Sequence, residues 1–595
     1  MTQFLQDLGI LEYSNLIRQV QAQPETEYVF RHALMQETAY KSLLRSERAD
    51  LHRRVGLVLE ELYGQGQDDL APLLAHHFEE AGQAAKAADF YETSGEHARD
   101  RYANQEALEF YGRALAMAEQ IGDRWRIPAL HRARGQICEI LGDFDGSRRE
   151  HEAALEVAEE LGDNRAVWQA YQDLGMLWSS KDYERTQAYY DRALKLARAM
   201  DEPTILAHTL NLIGNLEVNV SLPLVSEARH QEALDIFKSL GDERGLAETL
   251  DYLGMTYLLA GKGKEGHKYN RDAARLFLKQ GDELRLASTL SVSALRGANL
   301  QTMHLANAEE SYRIGLQDGI QAARLADNIG WRSGSSFARF TMAAALGIGG
   351  RFSEALQSAR EAIQIAEEIG HEQWAVAGKC MLGGILVEML EPEEAIAPLK
   401  AAAELADRSN SQHWRNTVTG YLATAWVELK ELDLAQELLE SHWQEADGPR
   451  SLSEGKLWMG KVRLNLARGD LEAALKLIQA IVDSAPGYQP GHPIPRLGWL
   501  QGLCFSRLGL HSQAEAILLE SKEISQIQET DSTTWRLHGA LAAVRRHLDR
   551  MEEAKLSLQS AEEIVDQMGQ TIRDPKLKHV FQRRAAKRLD SEIAQ

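Results

Sequence analysis

Cysteine is nearly absent from this chain. Its three residues, Cys138, Cys380 and Cys504, lie far apart and show no metal-ligand spacing. That excludes a disulfide framework, and the three read as small buried hydrophobes in a reducing cytosol. Proline is also scarce, 13 in 595 residues, while apolar residues reach 44%, which excludes a largely disordered chain and favours helix. Positive charge is in deficit: 66 Lys and Arg against 88 Asp and Glu leave a net charge of −22. A sequence-independent hold on nucleic acid is therefore not expected. No apolar run is long enough to span a membrane, and the N-terminus lacks a charged region followed by an apolar stretch. The expectation is a soluble, cytoplasmic protein without signal peptide or membrane association. Catalytic signatures are missing as well: no His-Glu-x-x-His, paired Cys-x-x-Cys or Gly-x-Ser-x-Gly occurs. No enzyme activity, metal or cofactor is expected.

What the chain does have is a period. A small residue recurs at Gly135, Gly175, Gly214, Gly254, Ala294, Ala343, Gly383, Ala423, Gly460 and Gly502, in steps of 40, 39, 40, 40, 49, 40, 40, 37 and 42. A second register, Ala114, Ala154, Ala193, Ala233, Ala273, Ala322, Ala362 and Ala402, keeps the same pace and lengthens by nine residues at the same place. Eight residues after each alanine stands a helix stop: Gly122, Gly162, Asp201, Gly241, Gly281, Gly330, Gly370 and Asn410. Two registers in step describe one repeated unit, the mark of a solenoid that buries its core between neighbours and escapes the size limit of a compact domain.

Each unit is two helices. In residues 124–162 helical periodicity runs from Arg124 to Leu141, breaks at Gly142-Asp143, resumes from Ser147 to Leu161 and stops at Gly162-Asp163. Gly tolerates the left-handed C′ position and Asp caps the following helix. The small residue of the first helix is expected to let the second helix approach closely. Three places break the rhythm: the excess near Arg296 to Gly319, which contains Asn299, Gln301, Thr302 and Asn307; the Pro-containing turn from Val220 to Ser226; and the Pro-rich connector from Ser484 to Pro495.

Leu253-Gly254-x-x-Tyr257, with Ala355 or Ala395 opening the second helix, resembles the tetratricopeptide repeat, in a long-helix form with Leu-Gly-Asp between units. The resemblance implies an all-α, right-handed superhelical solenoid of about twelve helix pairs with a 40-residue period. Residues 1–64 stand outside the period. The string Tyr28-Val29-Phe30-Arg31-His32-Ala33-Leu34-Met35-Gln36-Glu37-Thr38-Ala39-Tyr40, followed by Leu74-Ala75-His76-His77-Phe78, resembles the junction between winged helix and repeats in bacterial signalling ATPases of the STAND class. Such ATPases need an upstream phosphate loop. The nearest string here, Gly254 to Gly263, has the wrong spacing and no Ser or Thr after Lys262. The chain is thus expected to be the C-terminal half of such a regulator. The expected organisation is 1–64 winged-helix remnant and junction helices, 65–485 main superhelix, 486–570 C-terminal repeats, and 571–595 a basic capping helix. That last helix carries Arg573, Lys576, Lys578, Arg583, Arg584, Lys587 and Arg588 and reads as a solvated cap or, alternatively, a docking tail.

Histidines His76 and His77 are adjacent, hence about 100° apart on a helix, and cannot chelate one ion together. Trp374 and Trp414, 40 apart, read as packing residues in preference to an aromatic cage. In a superhelix of this family the first helix of each unit lines the concave groove. Counting three residues back from the small residue gives Gln172, Asn211, Asp251 and Ser291; six back gives Gln169, His208, Glu248 and Ser288; one forward includes Asn215. Polar rows of this kind can hydrogen-bond an extended peptide or a polar small molecule, although any solvent-lined groove is polar. The expected function is a protein- or effector-binding repeat module, the sensor or scaffold arm of a bacterial signal-transduction regulator. Its partners would be a protein segment, or a small effector, and an ATPase or cyclase module in another chain. A structural scaffold for assembly and the regulatory half of a split ATPase or cyclase are the alternatives.

Overall fold

The computed structural model describes residues 2–21, 27–63, 70–220, 223–297, 300, 310–485 and 493–594. These residues form twenty-nine helices and one two-stranded sheet. Packing divides the chain into two compact units, 1–134 and 135–595. The boundaries expected at 64/65 and 485/486 fall on or beside residues outside the described set.

The first unit opens with α1 (Thr2–Tyr13), an antiparallel hairpin of β1 (Ile17–Gln21) and β2 (Glu27–Phe30), α2 (Ala33–Ser42) and α3 (Arg45–Tyr63). It continues through α4 (Ala71–Glu80), α5 (Ala84–Asp100), α6 (Asn104–Ile121) and the first half of α7 (Ile127–Leu141). The small-residue register extends here to Gly95 of α5, where a Cβ would lie 2.8 Å from the Tyr111 ring of α6.

The second unit is a stack of antiparallel helix pairs. After the rest of α7 comes α8 (Phe144–Leu161). Then α9 (Asn164–Trp178) pairs with α10 (Tyr183–Met200), α11 (Pro203–Asn219) with α12 (Pro223–Leu240), and α13 (Glu243–Leu259) with α14 (Gly263–Gln280). The middle holds α15 (Glu283–Ser293) with α16 (Tyr312–Asn328), α17 (Arg332–Ile348) with α18 (Phe352–Ile369), and α19 (Glu372–Glu388) with α20 (Pro392–Arg408). Next come α21 (Gln412–Glu428) with α22 (Leu432–His442), α23 (Leu452–Arg468) with α24 (Leu471–Ser484), and α25 (Pro495–Arg507) with α26 (His511–Ile527). The last pair is α27 (Asp531–His547) with α28 (Met551–Gln570), and α29 (Pro575–Ala594) follows. The protein is an all-α helical repeat solenoid of antiparallel helix pairs.

The registers behave as their spacing requires. All eight helix stops have left-handed backbone, Asp201 (φ 53°) and Asn410 (φ 56°) included. Asp163 and Asp242 accept from the first backbone N–H groups of α9 and α13. The eight alanines of the second register are buried in the pair interfaces. The small residue of the first helix makes room for a side chain of its partner helix: His151 at Gly135, Tyr190 at Gly175, His230 at Gly214, Asn270 at Gly254, Leu399 at Gly383 and Leu518 at Gly502. The close approach seats a side chain in a notch, and at two positions the backbones also come close: a Cβ at Gly266 would lie 2.8 Å from Gly254 O, and one at Gly315 would meet Ala294 O. All three cysteines are free and buried.

The breaks have structural roles. Asn299, Gln301, Thr302 and Asn307 lie outside the described residues, but Leu300 does not. It is fully buried: its N–H donates to Ala344 O at 3.2 Å, and its carbonyl accepts from Tyr421 Oη at 2.9 Å and from Lys456 Nζ. Most of the Pro-rich connector, 486–492, lies outside the described residues, and Pro495 opens α25.

Within the second unit, turns distant in sequence touch. Asn410 Nδ2 donates to Glu184 Oε1 at 3.4 Å, Arg313 Nε to Glu529 Oε1 at 2.9 Å, Thr571 Oγ1 to Gly350 O at 2.9 Å, and the Arg573 N–H to Ser353 Oγ at 2.8 Å. The separations, 226, 216, 221 and 220 residues, agree closely. They equal about five and a half repeats. In each case the turn inside one pair meets the turn that ends a later pair, so successive windings are joined edge to edge.

The notch is open to test. Gly175→Ala places a Cβ against the buried Tyr190 ring and should cost about 1–3 kcal/mol by overpacking. Denaturant unfolding checks this, and a stability equal to or above wild type, as helix propensity alone would give, contradicts it.

Candidate functional site

The row three residues before the small residue is a hydrogen-bond ladder between successive first helices. Gln172 Nε2 donates to Thr209 Oγ1 at 3.4 Å and Asn211 Nδ2 to Thr249 Oγ1 at 2.8 Å; Asp251 holds the same position beside Thr289 of the next first helix. Each threonine donates to the carbonyl four residues before it, Ile205, Gly245 and Arg285, at 2.8, 2.8 and 2.9 Å. With its hydrogen spent there, the hydroxyl is left as an acceptor, which suits an amide donor. His230, seated in the Gly214 notch, meets Asn211 Oδ1 through Nδ1 at 3.1 Å. Asn211 and Ser291 are each 1% exposed, so neither offers a face to a ligand. Ser291 Oγ donates to Ala287 O at 2.9 Å. Substituting Asn211 would therefore disturb the stack itself.

Asp251 breaks the pattern of amides, because an ionised carboxylate has no hydrogen to donate. Burial pushes its carboxyl up to about 7, against the pull of the Arg285 charge. The row six residues before the small residue is half-buried and accessible. His208 Nδ1 lies 3.3 Å from Glu248 Oε2, and Arg285 Nη2 lies 2.7 Å from Glu248 Oε1. Burial would raise the Glu248 carboxyl, but His208, Arg285 and Arg244 outweigh it and hold it low. Gln169 and Ser288 flank this cluster and are half-buried, as are Gln172 and Asn215. The structure thus brings the two rows together as one polar face over α9, α11, α13 and α15. Its buried half holds the stack, and its outer half is open.

Beyond α15 the face closes. Phe337, Phe340, Ala377 and Cys380 are buried, Trp374 stacks on Phe337 at 4.6 Å, and Trp414 is buried. The tryptophans pack, as expected. The same repeats hold a cluster of charges, buried around Glu388 and half-buried around Glu428. Glu388 meets Arg496 at 2.5 Å and Arg536 at 3.0 Å; Glu428 meets Arg463 at 3.1 Å and Arg588 at 3.0 Å. All four guanidiniums lie 5.5–5.9 Å from the Trp499 ring centroid. Burial alone would raise both carboxyls, but the surrounding guanidiniums hold each at about 2. Glu388 and Glu428 stand five residues after Gly383 and Ala423, a position that Asn219, Leu259 and Ile348 fill in other repeats. A charge in that register was the available signal. The C-terminal helix buries Phe581, Ala585 and Leu589 in this core.

In the first unit His76 and His77 do not converge, with ring centroids 5.9 Å apart, and His77 Nδ1 instead meets His52 Nδ1 at 2.8 Å. Among the described residues no three His, Cys, Asp or Glu side chains form a metal-holding group, and no helix is long and apolar enough to cross a membrane.

No known protein-family profile matches the chain. An uncharacterised protein of Rhizobium meliloti (strain 1021) is 26% identical over 230 residues, 37% of this chain. The match spans only 21% of that relative's length. Among solved structures the chain is similar to the Cut9–Hcn1 hetero-tetramer of the APC/C, with TM-score 0.46 and 15% identity over 93% of this chain and 94% of that one. It is also similar to yeast Tom70, with TM-score 0.31 and 12% identity over 86% and 96%. A Rap protein complexed with competence and sporulation factor gives TM-score 0.33 and 12% identity over 75% and 99%. These scores are low, and the fold assignment rests on the helix pairing itself.

The ladder carries a pH prediction. A carboxyl raised in the fold contributes stability that is complete below its unfolded value near 3.8 and is lost as pH rises through about 7. Asp251→Asn, which can donate to Thr289 at every pH, should raise Tm at pH 8 and leave it nearly unchanged at pH 4. An equal change at both pH values contradicts the assignment.

Proposed function

We propose that this chain is the protein-binding repeat arm of a signal-transduction regulator. In this reading the start of the first unit docks on a separate folded ATPase or cyclase module. The outer half of the polar face, Gln169, His208, Glu248 and Ser288 with Gln172 and Asn215, takes a protein segment or small effector. Asn211, Asp251 and Ser291 support that face from within the stack.

The observation that carries the docking half is exposed apolar surface in α1, α2 and α3. Phe4, Leu5, Ile10, Tyr13, Leu34, Leu44 and Leu62 are 61–94% exposed. Large apolar side chains that open are sparse among the described residues of the second unit, where Leu278, Ile527 and Leu556 stand singly on different helices. Exposed apolar surface of this kind marks an interaction site. The order helix, antiparallel hairpin, helix is what the rear of a winged helix would present, in keeping with the resemblance of residues 28–40. The Rhizobium relative extends well beyond the matched stretch, as a multidomain regulator would.

A photoreactive benzoylphenylalanine at Phe4 or Leu44, illuminated in the source cell, tests this reading. The expected outcome is one discrete cross-linked product, identified by mass spectrometry as a polypeptide with an ATPase or cyclase domain. Cross-links only to a second copy of this chain would replace the reading with a self-assembling scaffold. No cross-link at either position would overturn it.

A further inference from the structure

The C-terminal ends of the first helices α19 to α27, together with one face of α29, enclose a pocket of about 450 Å³ in the second unit. That volume suits a small organic molecule. Its apolar wall comes from Val427, Leu500, Leu503 and Val544, with the Trp499 indole beside them. Cations outnumber anions around it: Lys430, Arg463, Arg507, Arg584, Lys587 and Arg588 face only Glu393, Glu428 and Glu592. This is a basic pocket in a chain of net charge −22.

Several of these cations already have structural work. Arg463 and Arg588 hold Glu428, Arg507 donates to Leu466 O at 3.1 Å, and Arg584 donates to Leu390 O at 2.5 Å. Capping carbonyls at helix C-termini accounts for the last two. It does not account for Lys430 and Lys587, which are exposed on the lining and have no ion pair among the described residues. Deeper in, donors are left over. Trp499 Nε1, Arg496 Nε and Nη1, and Arg536 Nε are buried without an acceptor, against one orphan acceptor on the lining, Glu592 Oε2. Buried donors without acceptors cost free energy and call for an explanation.

The basic face of α29, Arg584, Lys587 and Arg588, forms the pocket wall while Phe581, Ala585 and Leu589 anchor the helix.

We propose that this pocket binds a small organic anion, an aromatic or apolar body carrying one carboxylate or phosphate group. The body rests on Leu503, with Val427 and Ala543 beside it, and the charged group meets Lys430 and Lys587. This site is built from other helices than the polar face over α9–α15.

Calorimetric titration of the full chain with 1-naphthoate and with 1-naphthyl phosphate tests the proposal and distinguishes the two headgroups. At least one probe should bind with one-to-one stoichiometry. Lys430→Glu combined with Lys587→Glu should weaken it by about tenfold or more, with Tm unchanged. Ser506→Trp, which fills the pocket without touching the lysines, should weaken it as well and serves alone if the charge-reversed chain fails to fold. Three results would overturn the proposal: binding indifferent to both variants, as adsorption on the exposed apolar surface of residues 4–62 would give; equal binding of neutral 1-naphthol; or no binding of either anion, including the case where a Glu-rich peptide binds in their place.

Discussion

The structure depends on a missing Cβ. At one position in the first helix of several pairs a glycine leaves a notch, and a side chain from the partner helix fills it. His151, Tyr190, His230, Asn270, Leu399 and Leu518 are the fillers at six of these positions. Repeating one notch every 40 residues repeats one packing geometry, and a constant step between pairs is what winds a solenoid regularly. At Gly214 the notch also couples to the next repeat. His230 fills it and binds Asn211, Asn211 donates to Thr249, and Thr249 donates to the Gly245 carbonyl. Packing within a pair and stacking between pairs are thus linked through one chain of polar contacts.

Regular winding brings distant residues together. The contacts at separations of 216–226 residues join the edges of successive windings in the second unit. Ordinary repeat arrays contact only their neighbours and behave nearly as one-dimensional systems. This unit does not, because Leu300, the Glu388 cluster and α29 fill its interior. A carboxylate such as Glu388 is buried only because Arg496 and Arg536 surround it, and removing either charge would strand the other. The filled interior leaves less surface for recognition. The recognition surfaces proposed above are the outer polar face over the early repeats, the apolar start of the first unit, and the basic pocket beside α29.

The period, the helix pairs and the left-handed stops were legible in the sequence because each depends on residues a few turns apart. Asp201 and Asn410 could be placed in left-handed positions simply because glycine stands there in other repeats. The polar rows were legible as rows, but their division into a buried ladder and an open face was not. That division depends on the threonines five residues before the small residue, whose role shows only when two helices stack. The Glu388 and Glu428 cluster was hidden for a different reason. Its partners lie 35 to 160 residues away, and only the accumulated rotation of several repeats brings them together. The wall of the pocket is assembled the same way, from helix ends in five consecutive pairs and α29. The apolar side chains of α1–α3 were visible in the sequence, whereas their exposure was not, since a core-forming partner could have been supplied by the chain itself.

The second unit closes on itself with successive windings in contact. The most direct measurement is a spin-label distance between positions 184 and 410, using Glu184→Cys and Asn410→Cys, since Cys138, Cys380 and Cys504 are buried. Closure predicts a single narrow distribution at the short end of the measurable range. A broad distribution at long distance, as an open solenoid with separated windings would give, would contradict it.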